Sequence, residues 1–519
     1  MLNSGLRSAI SSKRIFLLSF FAVNLFLASY YIDIWCTSNP VSRALPVLTL
    51  LEDGTFRIDK YADRTADKSK VGDHFYSDKA PLPTVAAVPF YWLLKKTGLA
   101  KTTEMTAKKY PVYIFESITK EDGRNSFFTD MIPLLFLCSL LFGSIPFAII
   151  VFLAFKRISL STGNLSPVLL VMMSFYGSFM FVYAGTYFNH ILAAALLLSA
   201  YVLIKDNKFF WSGVCVGIAF ITEYTVAIAI PLWIIVIWLR EKSFKKILFY
   251  ILGTLPAIIF IAVYNYSING HPFRMLNAYH DMVEFQAQLS HNYGFQLPSI
   301  EALWGLTFSF YMGLIPHMPV LLLCGYFIVR ELAKKHSLKS PLATWKNYSA
   351  MFSIPFFLMI SSFFSWWGGW SFGPRYLICL SAILVYESVA YLSKRKINVL
   401  MFLAVTGFGL ISTWLAKVTL MYMLPDDSQP DGQHPGKDAF KTFILPQFEK
   451  SHFNANNLFT LGFDIPPATA AYLWMFFFIS ALAGFSVWYA KLYHPQAVGL
   501  GLQAPKSKVG KEKSGKRKK

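Results

Sequence analysis

Apolar residues in this chain do not alternate with polar ones; they come in long blocks, most of them closed by basic residues. Blocks near residues 15–34, 131–155, 165–186, 189–204, 247–266, 309–329, 350–365, 376–392, 398–416 and 468–490 approach or exceed the helical length needed to cross a hydrocarbon core of roughly 30 Å. Residues 209–239 form a longer block, which as one helix would reach about 46 Å. Glu223 sits near its middle, where a lipid-facing charge costs about 2.5–3.5 kcal/mol. Both of its flanks are basic, with Lys205 and Lys208 before it and Arg240, Lys242, Lys245 and Lys246 after it. Cytoplasmic flanks are the basic ones, so two short spans turning near residues 222–224 are expected here.

That count gives an all-α polytopic membrane protein of about twelve transmembrane helices, with both termini on the cytoplasmic side. Large outer segments fall at 35–129, 267–308 and 418–467. Within the first, the short apolar stretch Thr84–Leu94 is too short to span and reads as an interfacial helix. The third is rich in Pro, Gly, Asp and Gln, which is loop composition. The organisation expected is a membrane module over 1–392, further spans and an outer loop over 393–490, and a basic tail over 491–519.

Composition agrees with the blocks. Only 15% of the 519 residues are charged and the mean hydropathy is +0.46, far from a soluble domain at about 25% charged. The net charge of +20 raises nucleic acid as a partner, but the basic residues sit at the ends of apolar blocks, as orientation signals do. The tail from Lys506 to Lys519 holds eight Lys or Arg against one Glu, and suits a cytoplasmic segment beside anionic lipid. No nucleic-acid partner is expected; membrane lipids are. Five cysteines without a CxxC pair suggest neither a disulfide framework nor a metal site.

Chemistry concentrates in the first outer segment, which reads EDGTFRIDKYADRTADKSKVGDHFYSDK between Glu52 and Lys79. Six aspartates are interleaved there with six Lys or Arg residues. A solvated loop explains any single one of them. A transfer site explains the set, with one carboxylate taking a proton from an acceptor hydroxyl and a neighbouring cation holding an anionic leaving group. Arg375, in GGWSFGPR beside Trp366, Trp367 and Trp370, suits either an interfacial anchor or a two-pronged grip on phosphate. His190 opens a span, and Glu223 and Tyr224 mark the expected hairpin tip.

These residues carry a resemblance. NPVSRALPVLTLLEDGTFRID, TADK and YSDKAP resemble the first outer loop of GT-C glycosyltransferases, polytopic enzymes that use a polyprenyl-phosphate sugar as donor. The bacterial branch of the protein O-mannosyltransferase and lipid A aminoarabinose transferase families is the most similar. YFNHILAAALLL, YNYSINGHPF and SWWGGWSFGPRYL fit the same branch, and the resemblance runs from the first span to about residue 392. It implies that Lys79, Arg43, Arg375 and Asp78 hold the donor phosphate; Tyr76, His190 and Trp367 are candidate pocket residues, and Glu223 and Tyr224, at the hairpin tip, either face the same cavity or serve only the turn. The family's usual acid before the arginine is missing: Asn39, Pro40, Val41 and Ser42 stand there. Asp67, Asp59 and Asp33 remain as alternatives for the general base.

The resemblance implies a glycosyltransferase on the outer face of a bacterial inner membrane. It would move a sugar from a polyprenyl-phosphate donor to a lipid, glycan or protein acceptor with inversion at the anomeric carbon. No cofactor is required, and a divalent ion bridging Asp78 and the phosphate stays open. Two rival readings are a flippase of lipid-linked glycans, which would need ionisable residues distributed inside the spans, and an O-antigen ligase or polymerase, which would place its key residues in the late outer loop.

Overall fold

The computed structural model describes residues 2–100, 128–290, 292–335, 349–369, 371–421 and 438–493. The Pro- and Gly-rich run at 425–436 and the basic tail expected from 506 onward lie outside them. The described chain is a helical membrane protein with one small β-hairpin, in the segment expected to be the first outer one.

α1 (Leu2–Ser29) leads into the first outer segment. That segment is more structured than its polarity suggests. α2 (Ser38–Glu52) buries residues 40–49 against α3 (Leu82–Lys96). The apolar piece expected over 84–94 is therefore the middle of a fifteen-residue helix, and a second helix precedes it. Between them β1 (Lys68–Val71) pairs antiparallel with β2 (His74–Ser77) across a two-residue turn. Gly72 opens that turn at φ +60°, which matches the right-handed twist of the strands. An all-α fold is thus corrected in this one place.

The membrane region follows as α4 (Ile132–Ile158), α5 (Pro167–Tyr176), α6 (Asn189–Lys205), α7 (Phe209–Phe220), α8 (Ala229–Glu241) and α9 (Phe244–Asn269). It continues with α10 (Val320–Lys335), α11 (Ser349–Ser361), α12 (Ile378–Leu392), α13 (Val399–Val418) and α14 (Pro467–Tyr493). Seven described helices are long and apolar enough to cross a membrane, and four shorter apolar ones lie among them. Leu248, Leu252, Leu255, Ile259 and Val263 form an exposed apolar stripe on α9, as a lipid-facing helix requires.

The expected hairpin at 209–239 is present. Helix α7 ends at Phe220, and Arg240 at the end of α8 donates to the carbonyls of Ile204 and Lys205 at 2.6 and 3.3 Å. The two arms therefore fold back on each other.

Three expected spans are not single helices. The block at 165–186 stops at Tyr176, resumes for one turn at Met180–Tyr183 and then passes through a turn at 184–186 to Phe188. Broken backbone at membrane depth is tolerated only where neighbours satisfy its polar groups, and α13 does this. Thr413 donates to Tyr176 O at 2.6 Å, while the buried Lys417 ammonium donates to Val182 O at 2.8 Å and to Ala184 O. Gly185, at φ +78°, presses so close to Tyr31 O that a Cβ would sit 2.2 Å from it. The block at 309–329 forms one helical turn at Leu314–His317, breaks at Met318, where the following Pro319 disfavours helix, and resumes at Val320. The block at 350–365 ends at Ser361.

Basic loops gather at one end of the bundle. Lys205 pairs with Glu387, Arg395 with Glu331 at 2.7 Å, and Gly163 N donates to Ser393 O at 2.8 Å. Helices α6, α8 and α12 all run between that end and the outer one, where their other termini meet the hairpin segment.

Candidate active site

At the end of the bundle opposite the basic loops, six elements converge on one polar cluster. Helix α2 contributes Ser42 and Arg43 on its buried face. The hairpin brings Asp67, just before β1, beside Asp78 and Lys79, just after β2, because antiparallel pairing places Lys68 opposite Ser77. Lys79 Nζ lies 2.8 Å from Asp67 and 2.7 Å from Asp78. Burial opposes the charge on Lys79, yet the two carboxylates hold its pKa above the ordinary lysine value. Burial likewise favours neutral Asp67, and Lys79 overrides it, keeping that carboxyl below its usual range.

Asp78 is held further by Ser42, whose hydroxyl donates to Oδ1 at 3.0 Å and lies 2.8 Å from the Ser77 hydroxyl. On its other side is His280. That residue enters from the second outer segment, which docks on the hairpin edge through a β-bridge between Ser69 and His280. Met282 N donates to His280 Nδ1 at 3.1 Å, so the neutral ring carries its proton on Nε2, 3.9 Å from Asp78. Burial lowers the pKa of this imidazole, in keeping with a neutral ring.

Arg43 is 3% exposed. Its Nη1 donates to Asn39 O at 2.8 Å and to the Asn39 side chain, while its Nε is buried with no partner among the described residues. Burial lowers its pKa, and Glu223, Asp78 and Asp67 are all near enough to act against that. Glu223 stands in the break before α8 and lies 2.9 Å from His190 Nδ1 at the start of α6. The same break reaches the hairpin segment, since Leu82 N donates to Ile221 O at 3.2 Å. Arg375, at the head of α12, lies over the rings of Phe188 and Tyr376 at 5.3 and 5.2 Å and is close enough to influence Asp67. Its Nε too is buried and unpartnered. Among the described residues, neither guanidinium has a carboxylate within 4.0 Å.

The sequence candidates therefore divide. Arg43, Asp67, Asp78, Lys79, His190, Glu223 and Arg375 meet in the cluster. Tyr224, next to Glu223, has a buried hydroxyl without a hydrogen-bond partner among the described residues. Tyr76 packs in the apolar layer under the hairpin with Phe220, Tyr264 and Leu276. Trp367 packs against Trp366. Asp59 faces away, accepting from Phe75 N at 2.6 Å and meeting His74 at 2.8 Å. Asp33 is fully buried under the outer segment, where it accepts from Trp35 N at 2.9 Å. Ser42 and His280 were not anticipated. Ser42 stands where an acid was sought, and nothing in the spacing of AYHDM marks its histidine. Among the described residues no group of three or more His, Cys, Asp or Glu side chains can hold a metal ion.

No protein-family model and no curated protein matches the chain. Two solved structures do, both of ArnT from Cupriavidus metallidurans. With the form bound to undecaprenyl phosphate the identity is 12%, the TM-score 0.41, and the match covers 93% of this chain and 78% of that one. With the apo form the identity is 12%, the TM-score 0.42, and the coverage 95% and 79%. A likeness of that degree assigns neither fold nor function.

Proposed function

We propose that this protein is a GT-C glycosyltransferase that takes a sugar from a polyprenyl-phosphate donor on the outer face of the membrane. The observation that carries the reading is the imbalance within the cluster. Arg43 and Arg375 are pointed into a buried site without ion-pair partners, beside a lysine already shared by two carboxylates. Uncompensated guanidinium groups in low dielectric are costly to keep and match the geometry of a phosphate. The outer ends of α6 and α12 are N-termini, whose dipoles favour an anion.

The chemistry follows from charge. A polyprenyl-phosphate sugar is a phosphodiester with one negative charge. An acceptor hydroxyl attacks the anomeric carbon from the face opposite the phosphate, the C–O bond to phosphate breaks with its electrons, and the phosphate leaves with a second negative charge. The acceptor proton passes to Asp67, the only one of the three candidate bases that lies in the cluster. One negative charge thus moves from the carboxylate to the leaving phosphate, and Lys79 stands where it can follow. Arg43 and Arg375 meet more charge in the transition state than in the bound substrate, which is the condition for catalysis rather than mere binding. One displacement gives inversion. Asp78, locked by Ser42 and Lys79, is assigned to holding Lys79 in place. A divalent ion at Asp78 finds no third ligand among the described residues, and the transfer is written without one.

In this reading the shorter helices complete a bundle of about twelve crossings, and the basic end faces the cytoplasm. Native mass spectrometry of the purified protein tests it. A polyprenyl phosphate or its sugar should co-purify with the wild type and disappear from Lys79→Ala and Arg375→Ala. Ordinary phospholipid alone, unaltered by either substitution, sinks the reading.

A further inference from the structure

The second outer segment does more than deliver His280. A cavity of about 410 Å³ opens on it, walled by His271, Pro272, Phe273, Arg274, Ser290 and Tyr293. Its chemistry differs from that of the cluster. Phe273 is exposed, and Tyr293 offers a second aromatic ring, held in place by its hydroxyl donating to Phe273 O at 3.2 Å. Arg274 is fixed over the Tyr279 ring at 4.6 Å but meets no carboxylate within 4.0 Å among the described residues, and no acid lines the cavity. Asn292 and Tyr293 both take left-handed backbone, φ +49° and +53°. Two such non-glycine residues in succession are costly, and strain of this kind gathers at ligand sites.

The cavity also communicates with the acids. Tyr293 and Tyr224 lie within electrostatic reach of each other, and Tyr224 lies within reach of Asp78 and Glu223. Ala278, in the cavity wall, is only two residues from His280, whose Nε2 lies 3.9 Å from Asp78, so the second outer segment joins the two regions.

Resting on the transferase reading, we infer that this cavity is the acceptor subsite and that it takes an acidic saccharide. The apolar face of a pyranose ring stacks on Tyr293 and Phe273, and a carboxylate or phosphate on the same molecule meets Arg274. A hydroxyl of the acceptor then points along the segment that carries His280, toward the carboxylates. Nothing in the cavity suits a prenyl chain, which needs a long apolar channel rather than an arginine and a histidine.

Ligand-observed NMR on the full-length protein in nanodiscs tests the assignment, with methyl glucuronide, glucose 6-phosphate and methyl glucoside as probes. Arg274→Gln should weaken the acidic probes by about tenfold, the scale of one lost charge-assisted contact, and leave methyl glucoside unchanged. Tyr293→Ala should weaken all three. Both residues are at the surface of the segment, and an unaltered melting temperature confirms that the variants fold. The probe that loses more in Arg274→Gln identifies carboxylate or phosphate as the handle. Equal binding of acidic and neutral probes, or no response to Arg274→Gln, overturns the inference. Retention of the co-purifying polyprenyl lipid is read in the same variants. If the lipid is present in wild type and kept in both variants while the sugars ignore them, the subsite fails and the transferase reading stands. If sugars respond to Arg274 in a protein that carries no such lipid, the cavity is a saccharide site and the transferase reading fails.

Discussion

The two ends of the bundle handle charge in opposite ways. At the basic end each half-buried cation has found its carboxylate: Lys205 meets Glu387, Arg240 meets Glu241 at 2.8 Å, and Arg395 meets Glu331 at 2.7 Å. Tyr201 adds a hydrogen bond to Glu387 at 2.8 Å. At the outer end the groups are more deeply buried and yet less complete. Lys79 is shared by two acids, and Arg43 and Arg375 have none in contact. A structure that can pair charges so fully at one end has no folding reason to leave them open at the other. In the transferase reading, the donor phosphate supplies the anion at the open end.

Four experiments break or sharpen that contrast. The largest effect is expected from Lys79→Ala, which strands Asp67 and Asp78 together. Breaking a buried pair in this way costs about 3–5 kcal/mol, and thermal melting in detergent should fall accordingly while phosphate-lipid retention is lost. Next is Lys205→Met at the basic end, worth about 2 kcal/mol of stability because Glu387 is left half-buried without a cation, its hydrogen bond from Tyr201 remaining. Adding Glu387→Gln should restore more than half of that loss, and neither variant should change lipid retention. If Lys205→Met strips the lipid, the two ends are not functionally distinct.

Arg43→Met gives the sharpest test with a smaller effect. It removes a buried guanidinium that has no ion-pair partner, so the ligand-free protein should be no less stable, or more stable by about 1 kcal/mol. Lipid retention should vanish all the same. A variant that melts well below wild type shows instead that Arg43 serves the fold. The smallest effect is the pH dependence. Asp67 has a depressed folded pKa, so its contribution is complete above the unfolded value of about 4 and is lost as pH falls through the folded one. Lys79 has a raised folded pKa, so its contribution is complete below about 10.4 and is lost as pH rises through the folded value. Stability should be level between these limits, and Asp67→Asn should make the acid-side decline shallower.

How much of this was readable from the chain differs element by element. The break at Glu223 was, because a charge in an overlong apolar block with basic flanks admits only a turn. The interruption at 177–188 was not. Its residues are as apolar as any span, and the groups that stabilise the break, Thr413 and Lys417, come from more than 200 positions away. The β-hairpin was marked in principle by the Gly72–Asp73 pair between alternating residues, but the charge density around it reads as loop. Among the six aspartates between Glu52 and Lys79 no spacing rule separates Asp67 from Asp59. Strand pairing does: it carries Asp67 to Lys79 and leaves Asp59 with His74.

The sequence alone determined the membrane class, the sign of each end and the position of the YSDK step, because transfer free energy and the placement of basic residues are summed locally along the chain. Tertiary structure alone decided which carboxylate meets which cation, that Ser42 and His280 join them, and that two arginines stay unpaired. Those are contacts between elements far apart in sequence, and only the packing of α2, the hairpin, the second outer segment and the ends of α6, α8 and α12 sets their distances.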